Sequence, residues 1–394
     1  GFAAWAQGDV VSALDTFTEA VASLHAAGSL VDELSGTVVL ADLCLAAGRP
    51  SQARRLLTQA LSRAETHGTQ VARATAELHV GLSEMDVEGG DLVGARRHLE
   101  RAAALADRAP MNESRFRWFV AMALLARADG DPEGAVNLLD QAAGLYRPGF
   151  FPEVRPIAAI KARIWIAQGK LSEAADWARE RGVSATDDAR YLREFDHLTL
   201  VRLLLARHRV HQEPDVLDHA AGLLDRLYAA AETAKRARSL LEIRLLQALA
   251  YDAQGRRPQA LETLAQALGL APEPEGYLLL FLDEGAPMVS LLRDAELAGV
   301  GGDQVRRLLR LGVSAEAQAP DSGQRVAQAA AESLSDRELQ VLRLLDSELT
   351  GPQIARELFV SHNTVRTHTK HIFTKLDVTN RRAAVLRARE RGLL

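Results

Sequence analysis

Through the first three quarters of the chain, apolar positions recur every three or four residues, in paired stretches separated by a glycine. Aligning Gly8, Gly48, Gly90, Gly130, Gly169 and Gly255 brings the pattern out. Five residues after each glycine stands an alanine: Ala13, Ala53, Ala95, Ala135, Ala174 and Ala260. Nine after come Phe17, Leu57, Leu99, Leu139, Ala178 and Leu264, and twelve after come Ala20, Ala60, Ala102, Ala142 and Ala267, with Arg181 the exception. Successive glycines lie 40, 42, 40, 39 and 86 residues apart. The last gap is twice 43, and within it "VLDHAAGLLDRL" (216–227) places Ala220, Leu224 and Leu227 at the expected offsets. The spacing therefore predicts seven units, one of them without its glycine.

Each unit reads as a helical hairpin. Glycine ends the first helix because it takes up a positive φ without a Cβ penalty. Alanine lets the second helix lie close to the first, and the larger residue four positions on fills the groove between neighbouring hairpins. No hairpin can bury its own apolar face, so the units stack into a solenoid with a concave surface. The pattern resembles the tetratricopeptide repeat, whose period is about 34 residues; the extra residues here lengthen helices or loops and change the curvature. In "APEPEGYLLLFLDEGAPMVSLLRDA" proline and glycine turns surround a short apolar run, and "DQVRRLLRLG" follows as a final helix. This stretch, 271–311, reads as a cap, so the repeat domain covers 1–311. From 312 to 333 the chain is small and polar without a strong apolar stripe, a linker that is partly helical at most.

Residues 334–394 carry dense helix signals. Ser335-Asp336-Arg337-Glu338 is a capping box before a helix burying Leu339, Leu342 and Leu345. Thr350-Gly351-Pro352-Gln353 opens a short second helix with Ile354, Ala355 and Leu358 inside, its proline in the first turn. Phe359-Val360 form a turn, and Ser361 caps a third helix. Thr379 or Asn380 caps a fourth, with Ala384, Val385 and Ala388 on one side. On the third helix Val365, His368, Ile372 and Leu376 make one stripe; Asn363, Arg366, Thr367, Lys370 and Thr374 make another. Helix, short helix, tight turn and longer helix is the helix-turn-helix arrangement, whose second helix enters the major groove. The first stripe buries and the second faces DNA. Arg366 and Lys370 can donate to guanine O6 and N7, and Thr367 can meet a thymine methyl. Ser361, Asn363, Thr364, His371 and Lys375 are placed for phosphates, helped by the free N–H groups of the helix start.

Charge supports this division. The chain's net charge is −5, yet 334–394 hold 11 Lys and Arg against 7 Asp and Glu, and 361–394 hold 8 against 2. Positive potential collects where an anionic partner would dock. Hydrophobic residues make up 47% of the chain, enough for a substantial core, and no run of 18 apolar residues suggests a membrane span. The N-terminal residues show no secretion signal. Cys44 is the single cysteine, which excludes an intrachain disulfide and fits a reducing cytosol; its apolar neighbours make it a core residue.

"LSDRELQVLRLLDSELTGPQIARELFVSHNTVRTHTKHIFTKLDVTNRRAAVLRARERGLL" resembles the LuxR-type DNA-binding domain along its length, through Leu334-Ser335, Arg337-Glu338, Val341-Leu342, Ile354-Ala355, Ser361, Asn363 to Arg366, His368, Lys375-Leu376 and Ala384-Val385. The resemblance implies that Arg366, Thr367 and Lys370 face bases and that the fourth helix dimerises. Glu348 stands where that family has glycine, and Gly351-Pro352 replace a common Asn-Lys pair. "RPIAAIKARIWIAQGKLSEAADWARERG", "YLREFDHLTLVRLLLA" and "PEGYLLLFLDEGAPMVSLL" resemble the large ATP-binding LuxR regulators of the maltose-regulon-activator type. Such proteins begin with an ATPase module. This chain has no G-x-x-x-x-G-K-[ST]; after Gly169-Lys170 comes Leu171. The expectation is a C-terminal portion of a longer regulator, with ATP bound only on the module that this chain lacks and no cofactor of its own.

His208, His211 and His219 have metal-compatible spacing but no completing carboxylate or thiolate. Trp5, Trp118, Trp165 and Trp177 could line an inducer pocket, although such residues more often pack. Asp283-Glu284 read as surface or capping carboxylates. The chain is thus expected to be all-α: a solenoid of about seven hairpins plus a cap at 1–311, a linker at 312–333, and a four-helix LuxR-type domain at 334–394. The expected function is a cytoplasmic, nucleoid-associated transcriptional regulator, an activator rather than an enzyme. Its partners would be double-stranded DNA, a second copy, RNA polymerase, and a small-molecule or protein inducer on the concave face. An interaction scaffold is the rival.

Overall fold

The computed structural model describes residues 1–106, 115–147, 149, 152–271, 277–318, 336–347, 349–350, 353–354, 369, 372, 378 and 381–390. The chain forms two compact units, Gly1–Ala315 and Glu316–Leu394. Among the described residues, helix is the only regular secondary structure in either unit.

The first unit contains the seven hairpins that the spacing predicts. They pair α1 (Phe2–Ala6) with α2 (Val10–Ala26), α3 (Leu30–Ala46) with α4 (Pro50–Glu65), and α5 (Ala72–Glu88) with α6 (Leu92–Ala106). Next come α7 (Arg115–Ala128) with α8 (Pro132–Leu145) and α9 (Ile157–Ala167) with α10 (Leu171–Arg181). The last two pair α11 (Tyr191–His211) with α12 (Pro214–Thr233) and α13 (Ala237–Ala253) with α14 (Arg257–Leu270). All six aligned glycines have positive φ, between 73° and 85°. The residue after each donates its N–H to the carbonyl five residues back, at 2.8–2.9 Å, which satisfies an orphan carbonyl of the ending helix. The hidden unit is α11–α12. There Gln212 takes the left-handed conformation, φ 55°, that glycine takes elsewhere, which explains why the turn escapes a search for glycine.

The offsets also hold. All six alanines five residues after the glycines are fully buried, and so are Leu57, Leu99, Leu139 and Leu264, with relative exposure of at most 1%. Ala220, Leu224 and Leu227 are equally buried, although the turn at Gln212 lies three residues earlier than their offsets imply. Ala20 departs from the pattern and is exposed, because its antiparallel partner α1 is five residues long and ends short of it. The cap consists of α15 (Leu278–Leu282), α16 (Ala286–Leu297) and α17 (Gly302–Gln318). Tyr277, Phe281, Met288, Leu291, Leu292, Val305 and Leu308 fill its interior. Helix α17 runs through 312–318, the start of the stretch expected as linker. Cys44 is buried, and burial raises its thiol pKa.

The array curves until distant hairpins touch. A Cβ on Gly8 would meet Tyr191 Cβ at 2.9 Å, one on Gly48 would meet Ala237 Cβ at 2.7 Å, and one on Gly90 would meet Leu278 Cδ2 at 2.7 Å. The turns of the first three hairpins therefore abut the starts of α11, α13 and α15. At Gly8 and Gly48 the residue must be glycine for two reasons, positive φ and close approach.

Candidate functional site

The C-terminal unit was expected to read DNA. Its core holds Val341, Leu342 and Leu345 of the helix Asp336–Leu345, with Ile354, Ile372, and Ala384 and Ala388 of the helix Arg381–Glu390. Ile354 and Ile372, each fully buried, are members of the apolar faces assigned to the second and third helices. Gln353 Oε1 accepts from the Thr350 N–H at 2.8 Å and the Thr350 hydroxyl at 2.7 Å, so the second helix has its cap. The eight residues assigned to DNA (Ser361, Asn363, Thr364, Arg366, Thr367, Lys370, His371 and Lys375) lie outside the described residues. So do Ser335, Glu348, Gly351, Pro352, Val365, His368, Leu376, Thr379 and Asn380.

Two basic residues of this unit serve the fold. The Arg381 guanidinium donates to the carbonyls of Leu345 at 2.8 Å, Leu349 at 2.6 Å, Ser347 at 2.5 Å and Leu344 at 3.3 Å. It thus satisfies the free carbonyls where the first helix ends and complements that helix dipole. Arg389 bonds both carboxylate oxygens of Asp346, at 2.8 and 2.9 Å. Two of the eight basic residues of 361–394, neither of them assigned to DNA, thus hold the domain together.

In the first unit the curved array forms a solvent-open cavity of about 1250 Å³ lined from α1 to α13. Trp5 lies on its wall and donates Nε1–H to the Tyr191 hydroxyl at 3.3 Å; burial pushes the Tyr191 pKa up to about 12. Among the four tryptophans, Trp5 belongs to the lining. Trp118 donates to the Leu99 carbonyl at 3.1 Å, Trp165 lies under Lys161, and Trp177 is buried.

Carboxylates on the lining are each matched by arginine. Arg117 binds all four oxygens of Asp42 and Glu84, at 2.8–3.2 Å. Glu88 pairs with Arg238 at 3.5 Å, Glu77 with Arg73 at 3.4 Å and Glu153 with Arg181 at 3.6 Å. Deeper in the wall, Glu194 accepts from Arg236 at 2.7 Å, and Glu242 faces Arg163 and Arg202 at 2.9 Å each. Burial alone would raise the Glu242 pKa, but Arg163, Arg202 and Arg238 outweigh it and hold the carboxyl down at about 2. Burial, reinforced by Arg202, lowers Arg163 to about 9. Arg202 also pairs with Glu284, whose side chain is 8% exposed. The surface or capping assignment was wrong for Glu284, which belongs to this buried network; Asp283 pairs with Arg127 at 2.7 Å.

No sequence signal singled out this network, because its ion pairs join residues far apart in the chain, as Glu88 with Arg238. Elsewhere in the unit, His208 Nδ1 lies 2.8 Å from the Glu213 carbonyl. Among the described residues no cluster of three metal-ligating side chains occurs, and no helix is long and apolar enough to cross a membrane.

Comparison with known proteins separates the same two regions. Residues 1–298 match the family described as MalT-like TPR region, and residues 332–388 match the bacterial regulatory proteins of the luxR family. The HTH-type transcriptional regulator MalT of Cronobacter sakazakii is 27% identical over 289 residues, covering 67% of this chain and 30% of that protein. Its namesakes from Serratia proteamaculans and Yersinia enterocolitica are each 25% identical, covering 57% and 68% of this chain and 26% and 31% of their own lengths. The chain thus spans about a third or less of the curated relatives it matches. It belongs to the family of the MalT-like TPR region, carrying a luxR-family domain at 332–388.

Proposed function

We propose that the chain is the sensing and DNA-reading part of a bacterial transcriptional activator. The observation that carries this is the luxR-family match across 332–388, the segment whose polar stripe has the chemistry of a recognition helix. Arg366, Thr367 and Lys370 read base edges in the major groove, while Ser361, Asn363, Thr364, His371 and Lys375 hold phosphates. The core around Ile354 and Ile372 supports the inward half of this reading, and the names of the MalT relatives support the regulatory role.

One such domain binds weakly, since non-specific affinities lie around 10⁻⁴–10⁻⁶ M. Two copies joined through the fourth helix place two recognition helices in successive grooves and multiply affinity through effective concentration. The repeat array provides assembly and signal reception, RNA polymerase is the downstream partner, and ATP binding belongs to a module outside this chain. Selection of bound duplexes from a random pool at two salt concentrations tests the proposal. It should return one sequence motif with inverted half-sites, enriched at both salts. Recovery of unrelated duplexes, or of none, would overturn it.

A further inference from the structure

Arg155 stands apart from the other charges of the repeat cavity. Its side chain is open to the cavity, and its guanidinium carbon lies 5.6 Å from the centre of the Phe195 ring. Among the described residues it has neither a carboxylate within ion-pair distance nor a hydrogen-bond acceptor. Of the carboxylates near it, Glu84 is bonded to Arg117, Glu242 pairs with Arg163 and Arg202 at 2.9 Å, and Glu88 pairs with Arg238 at 3.5 Å. Asp42 and Glu84 share one arginine, but all four of their oxygens are bonded to it. A charged guanidinium open to the cavity and short of protein partners can offer its N–H groups to an anion as paired, charge-assisted hydrogen bonds.

Between its paired charges the lining carries apolar and aromatic side chains, among them Phe116, Tyr146, Ile157, Tyr191 and Phe195. Mostly apolar walls with a few convergent polar groups are what small organic ligands require, and the volume exceeds the roughly 300–1,000 Å³ usual for such pockets.

We propose that the repeat cavity binds a small organic anion, a carboxylate or phosphate ester on a largely apolar body, with Arg155 receiving the anionic group and Phe195 packing beside it. This deepens the sensing role given to the array above and rests on that reading for its purpose, though not for its geometry.

The test uses the full chain and two fluorescent probes of similar body: 8-anilinonaphthalene-1-sulfonate, which is anionic, and N-phenyl-1-naphthylamine, which is neutral. The anionic probe should bind at one saturable site. Arg155→Gln should weaken it roughly tenfold or more, the cost of losing charged hydrogen bonds, while the neutral probe is unaffected; Arg155→Lys should recover part of the loss. Phenylacetate and phenyl phosphate, added as competitors, then separate a carboxylate site from a phosphate site, the better displacer naming the group. Equal binding of the anionic probe to wild type and Arg155→Gln, or no saturable site, overturns the proposal. Unfolding curves of both proteins, if superimposable, exclude a folding defect. DNA binding measured on the same preparations is a separate readout, so failure of the cavity assignment leaves the DNA-reading assignment standing, and the reverse.

Discussion

Gly48 and Gly130 end equivalent helices with the same turn and nearly the same φ, 75° and 85°, yet their surroundings differ. A Cβ on Gly48 would strike Ala237 at 2.7 Å, whereas one on Gly130 would meet nothing within 4 Å. Gly8 resembles Gly48; Gly169 and Gly255 resemble Gly130. The repeat motif accounts for the positive φ that all share. Contact across the curved array adds a second constraint, felt only by the hairpins that come to face α11, α13 and α15. One sequence signature thus conceals two physical classes of position.

Substitutions separate these classes. The largest loss should come from the network that the curvature assembles: Glu242→Ala leaves Arg163 and Arg202 without their shared carboxylate and should cost about 3–5 kcal/mol, measured by urea unfolding. Because the folded pKa of Glu242 is depressed, its contribution is fully present above about pH 4.5 and fades as pH falls towards about 2. Gly48→Ala comes next. It combines left-handed strain of about 1–2 kcal/mol with overpacking of about 1–3 kcal/mol against the Ala237 Cβ. Gly130→Ala should cost only the first term, about 1–2 kcal/mol. Equal losses at the two glycines would show that the contact across the array does not form in solution.

A smaller effect tests the interior of the third hairpin. His79 Nδ1 lies 2.7 Å from His98 Nδ1, so one ring donates and the other accepts, and a proton added to the acceptor's Nδ1 sets two N–H groups face to face. Burial, with His98 and Arg101 adding to it, lowers the His79 pKa to about 4; burial also lowers His98, against the pull of Asp86. Both folded values lie below the ordinary 6.5, so the unfolded chain takes up protons that the fold refuses. Stability should therefore fall as pH drops from 6.5 towards 4. Thermal unfolding of His79→Gln should show a flatter pH dependence across that window.

How much could be read beforehand follows from where the information lies along the chain. Hairpin turns, alanine offsets and the unit hidden behind Gln212 were legible because helix packing repeats a local rule. The core face of the C-terminal domain was legible at Leu342, Leu345, Ile354 and Ala384 for the same reason, since 3.6-residue periodicity is enough. Arg381 was not. It counted as one more positive charge until its guanidinium was found closing the end of the first helix. Arg155 and Glu242 were invisible because what distinguishes them is which distant helices face them, and no local pattern encodes the curvature of the array.

The DNA-reading assignment stands or falls on one titration. Fluorescence anisotropy with a selected duplex should show Arg366→Ala binding about 1–3 kcal/mol more weakly than wild type, with preference relaxed at a single base pair. Unchanged affinity and unchanged base preference in that variant would contradict it.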